Sequence, residues 1–214
     1  MSETTATRPE SASARTEGRG KAEDWLEAAY QQLLLGGVDS VRVLTLAKTL
    51  GLSRTSFYWS FKDRDALLAA LLARWDAHNT ARLIGRCEQY AATVVEAMLN
   101  VFDCWLDESL FDSRFELAIR NWGLQNEDVA AVVDQADQTR IQALTAMLMR
   151  HGQSESQADV RARTIYLTQI GYLSMRTRES VAERIGRVAD YVEIFVDEPC
   201  QPHELARFAA RHPG

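Results

Sequence analysis

Apolar residues recur at helical spacing almost throughout the chain. Trp25, Ala29 and Leu33 form one stripe with Leu26, Tyr30 and Leu34 beside it, which predicts a helix from about Lys21 to Leu35. Gly36-Gly37 ends it. Leu46, Ala47 and Leu50 make a short second helix. Gly51 follows its last periodic residue, where a chain leaving a helix often needs positive φ. Ser53 then stands as an N-cap whose hydroxyl can accept a free backbone N–H. Two short helices across a glycine turn describe a helix-turn-helix, whose second helix can enter the DNA major groove. A further helix opens near Asp63 and runs through Leu67, Leu71 and Trp75 towards Arg82, with Asp63 and Asp65 suited to its positive end.

Beyond Asn79 the pattern predicts longer helices, roughly 87–107, 113–125, 127–150, 155–177 and 180–197. Gly152 and the polar run Gln153 to Gln157 mark a break. Val181, Ile185, Val188, Val192 and Phe195 step by four and three, a heptad seam on one helix. The preceding helix is apolar on two sides, through Ile165, Gln169, Tyr172 and Leu173 and through Leu167, Ile170, Gly171 and Ser174. Either both faces are buried within one chain, or one of them meets a second copy. The preferred reading is a two-fold dimer joined as a four-helix bundle, with Ile165, Gly171, Tyr172, Ser174, Val181, Ile185, Val188 and Val192 at the interface. Strand signal is confined to Val41-Arg42-Val43, better read as a turn, so the fold class is all-α. No internal repeat is present. Three parts follow: a flexible tail over 1–20, a helix-turn-helix head over 21–79 and a helical body over 80–214.

Charge sharpens this division. From Arg42 to Arg64 five cations face one acid, whereas the 214-residue chain carries a net charge of −6. A cationic island on an acidic protein finds phosphate without coating the molecule in non-specific affinity. The plainer reading, a solvated face that merely lacks acids, is weakened by the glycine turn, the cap and the run Phe57-Tyr58-Trp59. Cys87, Cys104 and Cys200 lie far apart, as suits a reducing cytoplasm. The four histidines show no ligand spacing, so neither metal nor cofactor is expected. No apolar run approaches the ~20 residues of a membrane span, and the first twenty residues lack a secretory apolar segment.

The run WLEAAYQQLLLGGVDSVRVLTLAKTLGLSRTSFYWSFKDRDALLAALL resembles the amino-terminal domain of TetR-family (tetracycline-repressor-like) transcriptional regulators. Its marks are Ala28-Ala29, Gly37, Leu46-Ala47, Gly51-Leu52-Ser53, Phe57-Tyr58 and Phe61-Lys62 followed by Ala66-Leu67-Leu68. The resemblance implies a homodimer whose paired recognition helices read a palindromic double-stranded operator, and a body that holds a small-molecule effector. It places Arg42 and Val43 at the opening of the second helix, near the DNA backbone. Arg54, Thr55 and Ser56 fall on the first turn of the recognition helix, Tyr58 and Ser60 on its DNA side, and Lys62 and Arg64 at flanking phosphates. Phe57 and Phe61 are left to the head's core. Two positions depart from the family pattern. Arg42 replaces a usual Thr, so the cap is either Ser40 or absent; Thr55 replaces a common Gly or Pro. Arg54 suits either a guanine or a phosphate.

In the body, Phe115 to Trp122 is similar to a segment of some of these regulators, with no chemistry to carry over. Phe102, Trp105, Phe111, Trp122 and Tyr166 either line an effector cavity or belong to the core. An enzyme on a helical body is the competing class, against which stands the lack of a phosphate loop, nucleophile motif or metal-spaced set. A third reading is a partner-binding helical protein with a helix-turn-helix-like head. The expectation carried forward is a DNA-binding regulator, more often a repressor, and not an enzyme.

Overall fold

The structure, a computed structural model, describes residues 11–177 and 179–212, with side chains from residue 22 onward. No strand occurs among the described residues. The chain forms two compact units, Met1–Ala73 and Arg74–Gly214.

In the first unit α1 spans Ser11–Gly36, a 3₁₀ turn covers Val38–Ser40, and α2 (Val43–Leu50), α3 (Arg54–Ser60) and α4 (Arg64–Trp75, its last two residues already in the second unit) follow. Helix α1 begins ten residues before the expected start. Adding residues to a formed helix is easy compared with nucleating one, and no proline interrupts the chain between Pro9 and Pro199. The first ten residues of the expected tail lie outside the described residues.

The core of this unit is Trp25, Leu33, Leu46, Phe57, Leu67 and Leu71, all buried. Trp25 meets the Phe57 ring edge-on at 5.2 Å, and Phe61 stacks on Phe57 at 5.7 Å. Gly51 takes φ 66°, a left-handed conformation that a side chain would strain. That turn lets the Leu52 N–H reach the Ala47 carbonyl at 2.9 Å. Ser53 caps α3, accepting from the Ser56 N–H at 3.2 Å. Helix α2 has no side-chain cap. The Ser40 hydroxyl lies 2.7 Å from the Gln32 and Gly37 carbonyls, so it seals the end of α1 instead.

The second unit continues from the end of α4 through a π-turn (Asp76–Thr80) into α5 (Ala81–Glu88), α6 (Val94–Leu106), α7 (Ser113–Gly123), α8 (Glu127–Arg150), α9 (Glu155–Ser174), α10 (Val181–Val196) and α11 (Pro202–Arg211). The expected helix over 87–107 is broken, because Thr93 caps a new one. Its hydroxyl accepts from the Glu96 N–H at 3.0 Å while Glu96 accepts from Ala92 N–H at 2.8 Å. Helix α6 is buried on every side, with eleven of its thirteen residues in the interior. That is the pattern of a central helix.

The heptad seam points inward. Val188, Val192 and Phe195 pack with Ile165 into the same core as α6. Ile165, Val188 and Val192 are therefore corrected from interface to core; the heptad marks α10's contact with its own chain. Ile185 and Tyr172 are half-buried, Gly171 is partly open, and Ser174 and Val181 face solvent.

Helix α11 was not foreseen. Pro202 sits in its first turn and Glu204 accepts from the Gln201 N–H at 2.9 Å, a readable start signal. The helix returns Phe208 to the core, and Glu204 accepts from the Thr93 hydroxyl at 2.6 Å. The buried Asp103 of α6 binds Arg86 at 3.2 Å, Arg211 at 3.1 Å and His212 at 2.8 Å. Phe208→Ala should therefore cost about 3–5 kcal/mol, read as a lower urea midpoint for the body. An unshifted midpoint would show that α11 adds nothing to it.

Candidate nucleic-acid interface and body cavity

Helix α3 buries Phe57 and turns its other side outward. Tyr58 is 61% exposed and Trp59 87% exposed, while Arg54 and Thr55 are also in solvent. Ser56 and Ser60 are half-buried, and the Ser56 hydroxyl donates to the Ser53 carbonyl at 2.7 Å. No acid lies on α3. Lys62 is exposed just beyond its end.

Arg42, exposed at the start of α2, donates from Nε to the Asp39 carbonyl at 2.9 Å. Val43 beside it is half-buried. Arg64 behaves differently from a free surface cation. Its Nε donates to the Val41 carbonyl at 2.6 Å and its Nη2 to the Val38 carbonyl at 2.7 Å. It braces the link between α1 and α2. Trp59 was not among the expected contacts, although the sequence held the signal: Phe57 and Phe61, four apart, fix the inner side, so residue 59 must face out.

The body holds a buried polar cluster on α4, the π-turn, α7, α8 and α9. Glu116 and Arg140, both fully buried, pair at 2.8 Å. Glu116 also accepts from Trp75 Nε1 at 2.7 Å, Asn79 Nδ2 at 2.9 Å and Arg120 Nε at 2.9 Å. Arg140 donates from Nε to the Thr80 hydroxyl at 3.0 Å and from Nη1 to the Tyr166 hydroxyl at 2.9 Å. Its guanidinium lies 4.9 Å from the Trp75 ring centre and 5.5 Å from that of Phe111. Tyr166 in turn donates to Asp137 at 2.6 Å, and Asp137 pairs with Arg120. Burial by itself would raise the Glu116 carboxyl. The charge of Arg140, then that of Arg120, and hydrogen bonds from Arg140 and Asn79 together hold it below the ordinary carboxylate range.

A cavity lies between α6, α9 and α10. Phe102 and Trp105 line it, together with Ile165, Gln169, Tyr172, Arg184, Val188, Tyr191 and Phe195. Phe111, Trp122 and Tyr166, expected as lining, do not. Phe111 lies against Arg140, Tyr166 spends its hydroxyl on the polar cluster, and Trp122 is buried. The cavity's volume of ≈ 50 Å³ is well short of the ~300–1,000 Å³ common for ligand sites. No cluster of three or more potential metal ligands occurs among the described residues, and none of the described helices is long and apolar enough to cross a membrane.

Residues 26–71 match the profile of the bacterial regulatory proteins of the tetR family. The head is thus similar to those of tetR-family regulators. Solved structures share the fold over most of the chain. A transcriptional regulator from Rhodococcus sp. Rha1 is 17% identical, with a TM-score of 0.55, covering 89% of this chain and 96% of its own. The reduced form of E. coli NemR is 18% identical with a TM-score of 0.58, covering 83% and 94%. At such identities the likeness establishes the TetR-like all-α fold alone. No curated protein sequence matches the chain. All nine residues from Arg42 to Arg64 singled out for DNA fall inside the matched TetR span, whereas the polar cluster and the cavity lie outside it.

Replacing Glu116 tests the cluster. Glu116→Gln leaves Arg140 buried against a neutral partner and should cost about 3–5 kcal/mol, measured by urea unfolding at pH 7. Because the folded carboxyl titrates below its unfolded value, its stabilising contribution is complete above that unfolded value, ~4.3, and is lost as pH falls through the folded one. Acid unfolding of the variant should be correspondingly shallower in that window; identical acid curves would remove Glu116 from the account.

Proposed function

We propose that the chain is a ligand-responsive homodimeric repressor that binds a palindromic DNA operator and leaves it when a small molecule occupies the body. The observation that carries this reading is the outward side of α3. A seven-residue helix bares Tyr58 and Trp59 beside Arg54 and Thr55, bears no acid and is pinned from behind by Phe57. Rings left in water at a cationic surface are suited to a groove whose floor carries base edges and thymine methyls and whose walls are phosphates.

In this reading Arg54, Thr55 and Trp59 meet base edges, and Tyr58, Ser60 and Lys62 meet the backbone. Ser56 supports the helix's first turn. Arg42 and Val43 approach phosphate at the opening of α2, where an uncapped helix end leaves backbone N–H groups available. Arg64 acts from behind, holding the α1–α2 link. Two heads dock together only where half-sites lie about 34–36 Å apart or a multiple of that.

The dimer surface moves to the outer side of α9 and α10. Val160, Leu167 and Met175 on or beside α9 and Ile194 on α10 are exposed, Leu167 by 62% and Ile194 by 74%. A side chain built at Gly171 would meet nothing within 4 Å, so another helix can approach there. Gly171, Tyr172, Ser174 and Val181 remain candidates; the buried valines do not.

Lys62→Ala should weaken binding at all sequences and flatten the dependence of log K on log salt by about 0.9. Tyr58→Phe should cost about 1 kcal/mol without changing that slope; both are read by fluorescence anisotropy on a selected operator. An unaltered slope in Lys62→Ala removes that residue from the phosphate contacts. Leu167→Glu or Ile194→Glu should give folded monomers by light scattering, with operator affinity lost. A persisting dimer in both would place the interface elsewhere.

A further inference from the structure

The cavity between α6, α9 and α10 has two features that its apolar walls do not explain. One is Gln169, whose residue is only 7% exposed and whose Nε2 has no hydrogen-bond partner among the described residues. An amide N–H left without a partner in the interior is costly. The residue lines the cavity, so an acceptor bound there is what that donor lacks. The other is Arg184. Its guanidinium lies 4.9 Å from the Tyr172 ring centre, half-buried, and it forms no ion pair or hydrogen bond among the described residues. Burial holds it below its ordinary pKa, with Tyr172 and Glu179 offsetting that in part.

The neighbouring charges narrow what could satisfy both groups. Glu179 is already engaged, accepting from the Tyr172 hydroxyl at 2.8 Å and pairing with Arg187. The cavity is thus lined by two arginines against one glutamate, and the uncommitted cation is Arg184. A dianion such as a phosphate would need more donors than Gln169 and Arg184 supply, and it would face the Glu179 carboxylate. A carboxylate matches a guanidinium fork edge to edge. The rings of Phe102, Trp105 and Phe195 also line the cavity. Phe102 meets Trp105 edge-on at 4.9 Å and stacks with Phe195 at 6.3 Å. They suit an aromatic or aliphatic body.

We propose that this cavity binds a small amphipathic monocarboxylic acid, its carboxylate on Arg184, an oxygen accepting from Gln169 and its apolar body among Phe102, Trp105 and Phe195. This rests on the effector reading above and gives it a chemical class. The present volume requires the mouth to open. Tyr191 is 38% exposed and the Arg187 side chain 52% exposed, so opening there gives up only the Tyr191 stack on Phe195 and the Arg187 pair with Glu179.

The test is isothermal titration of the full chain at pH 7 with benzoate, 4-phenylbutanoate and octanoate, each beside its neutral primary amide. At least one acid should bind, and at least about tenfold tighter than its amide, the difference expected of a charge-assisted hydrogen bond. Arg184→Gln should erase that preference. Gln169→Leu should weaken the acid several-fold yet unfold at a higher urea concentration, because it removes an unpartnered buried amide; a purely structural glutamine would lower both. No binding by any of the three acids, equal binding of acid and amide, or an Arg184→Gln protein that keeps the preference would each overturn the proposal. Operator retention is measured separately with the same acids. An acid held through Arg184 that leaves DNA bound supports the cavity and counts against the effector role alone.

Discussion

A carboxylate and a guanidinium with no exposed surface, Glu116 and Arg140, are the constraint around which the body is built. Taking both charges out of water is costly, and their mutual attraction offsets that only when the remaining lone pairs and protons are also met. Here they are met by Trp75, Asn79 and Thr80 from one side and by Arg120 and Tyr166 from the other. The partners come from three stretches of the chain, residues 75–80, α7 and α9, so sliding α7, α8 or α9 by one residue would leave a charge bare. One guanidinium nitrogen, Arg140 Nη2, still lacks a partner among the described residues. The cluster is accordingly a device for fixing register more than a large source of stability.

That fixed polar region leaves the apolar work to the rest of the body. Helix α6 runs through its centre and α11 fastens to it through Asp103 and Phe208. Phe102 and Trp105, near the C-terminal end of α6, reach the cavity, where Val188 and Ile165 complete the wall. The head solves a smaller problem with fewer means. A single ring, Phe57, is shared by Trp25, Tyr58 and Phe61, and this holds α3 by its inner side while Trp59 stands out in solvent.

The head was largely legible in the sequence because its signals are local. Gly51 and Ser53 act on the backbone within a few residues of themselves, and the spacing of Phe57 and Phe61 fixes which side of α3 faces in. The same spacing identified Trp59 as outward, a reading not drawn from it. Arg64 was not legible, since nothing local says that a lysine-like surface cation will reach carbonyls twenty-three and twenty-six residues away. The body shows the limit more sharply. The heptad of Val188 and Val192 tells which side of α10 is apolar but not whose helix covers it, and its own chain does. Of the aromatics expected at a cavity, only Phe102 and Trp105 line one, because ring burial is common to cores and cavities alike. Gln169 was legible only as a member of an apolar side of α9; a missing partner is a property of three dimensions.

The π-turn at Asp76–Thr80 settles a problem of winding. Trp75, Asn79, Leu83 and Cys87 are all buried in the second unit, each four residues after the last. Twelve residues of regular α-helix turn through ~1,200°, which would carry Cys87 about 120° around from Trp75. A strict four-residue stripe thus spirals away from any surface it begins on. One wider turn takes that excess back, and it does so where Asn79 and Thr80 must both face the ion pair. The extra residue works as a phase correction written into the backbone. No exchange of side chains could replace it, since removing one residue there would rotate every later position of α5 together.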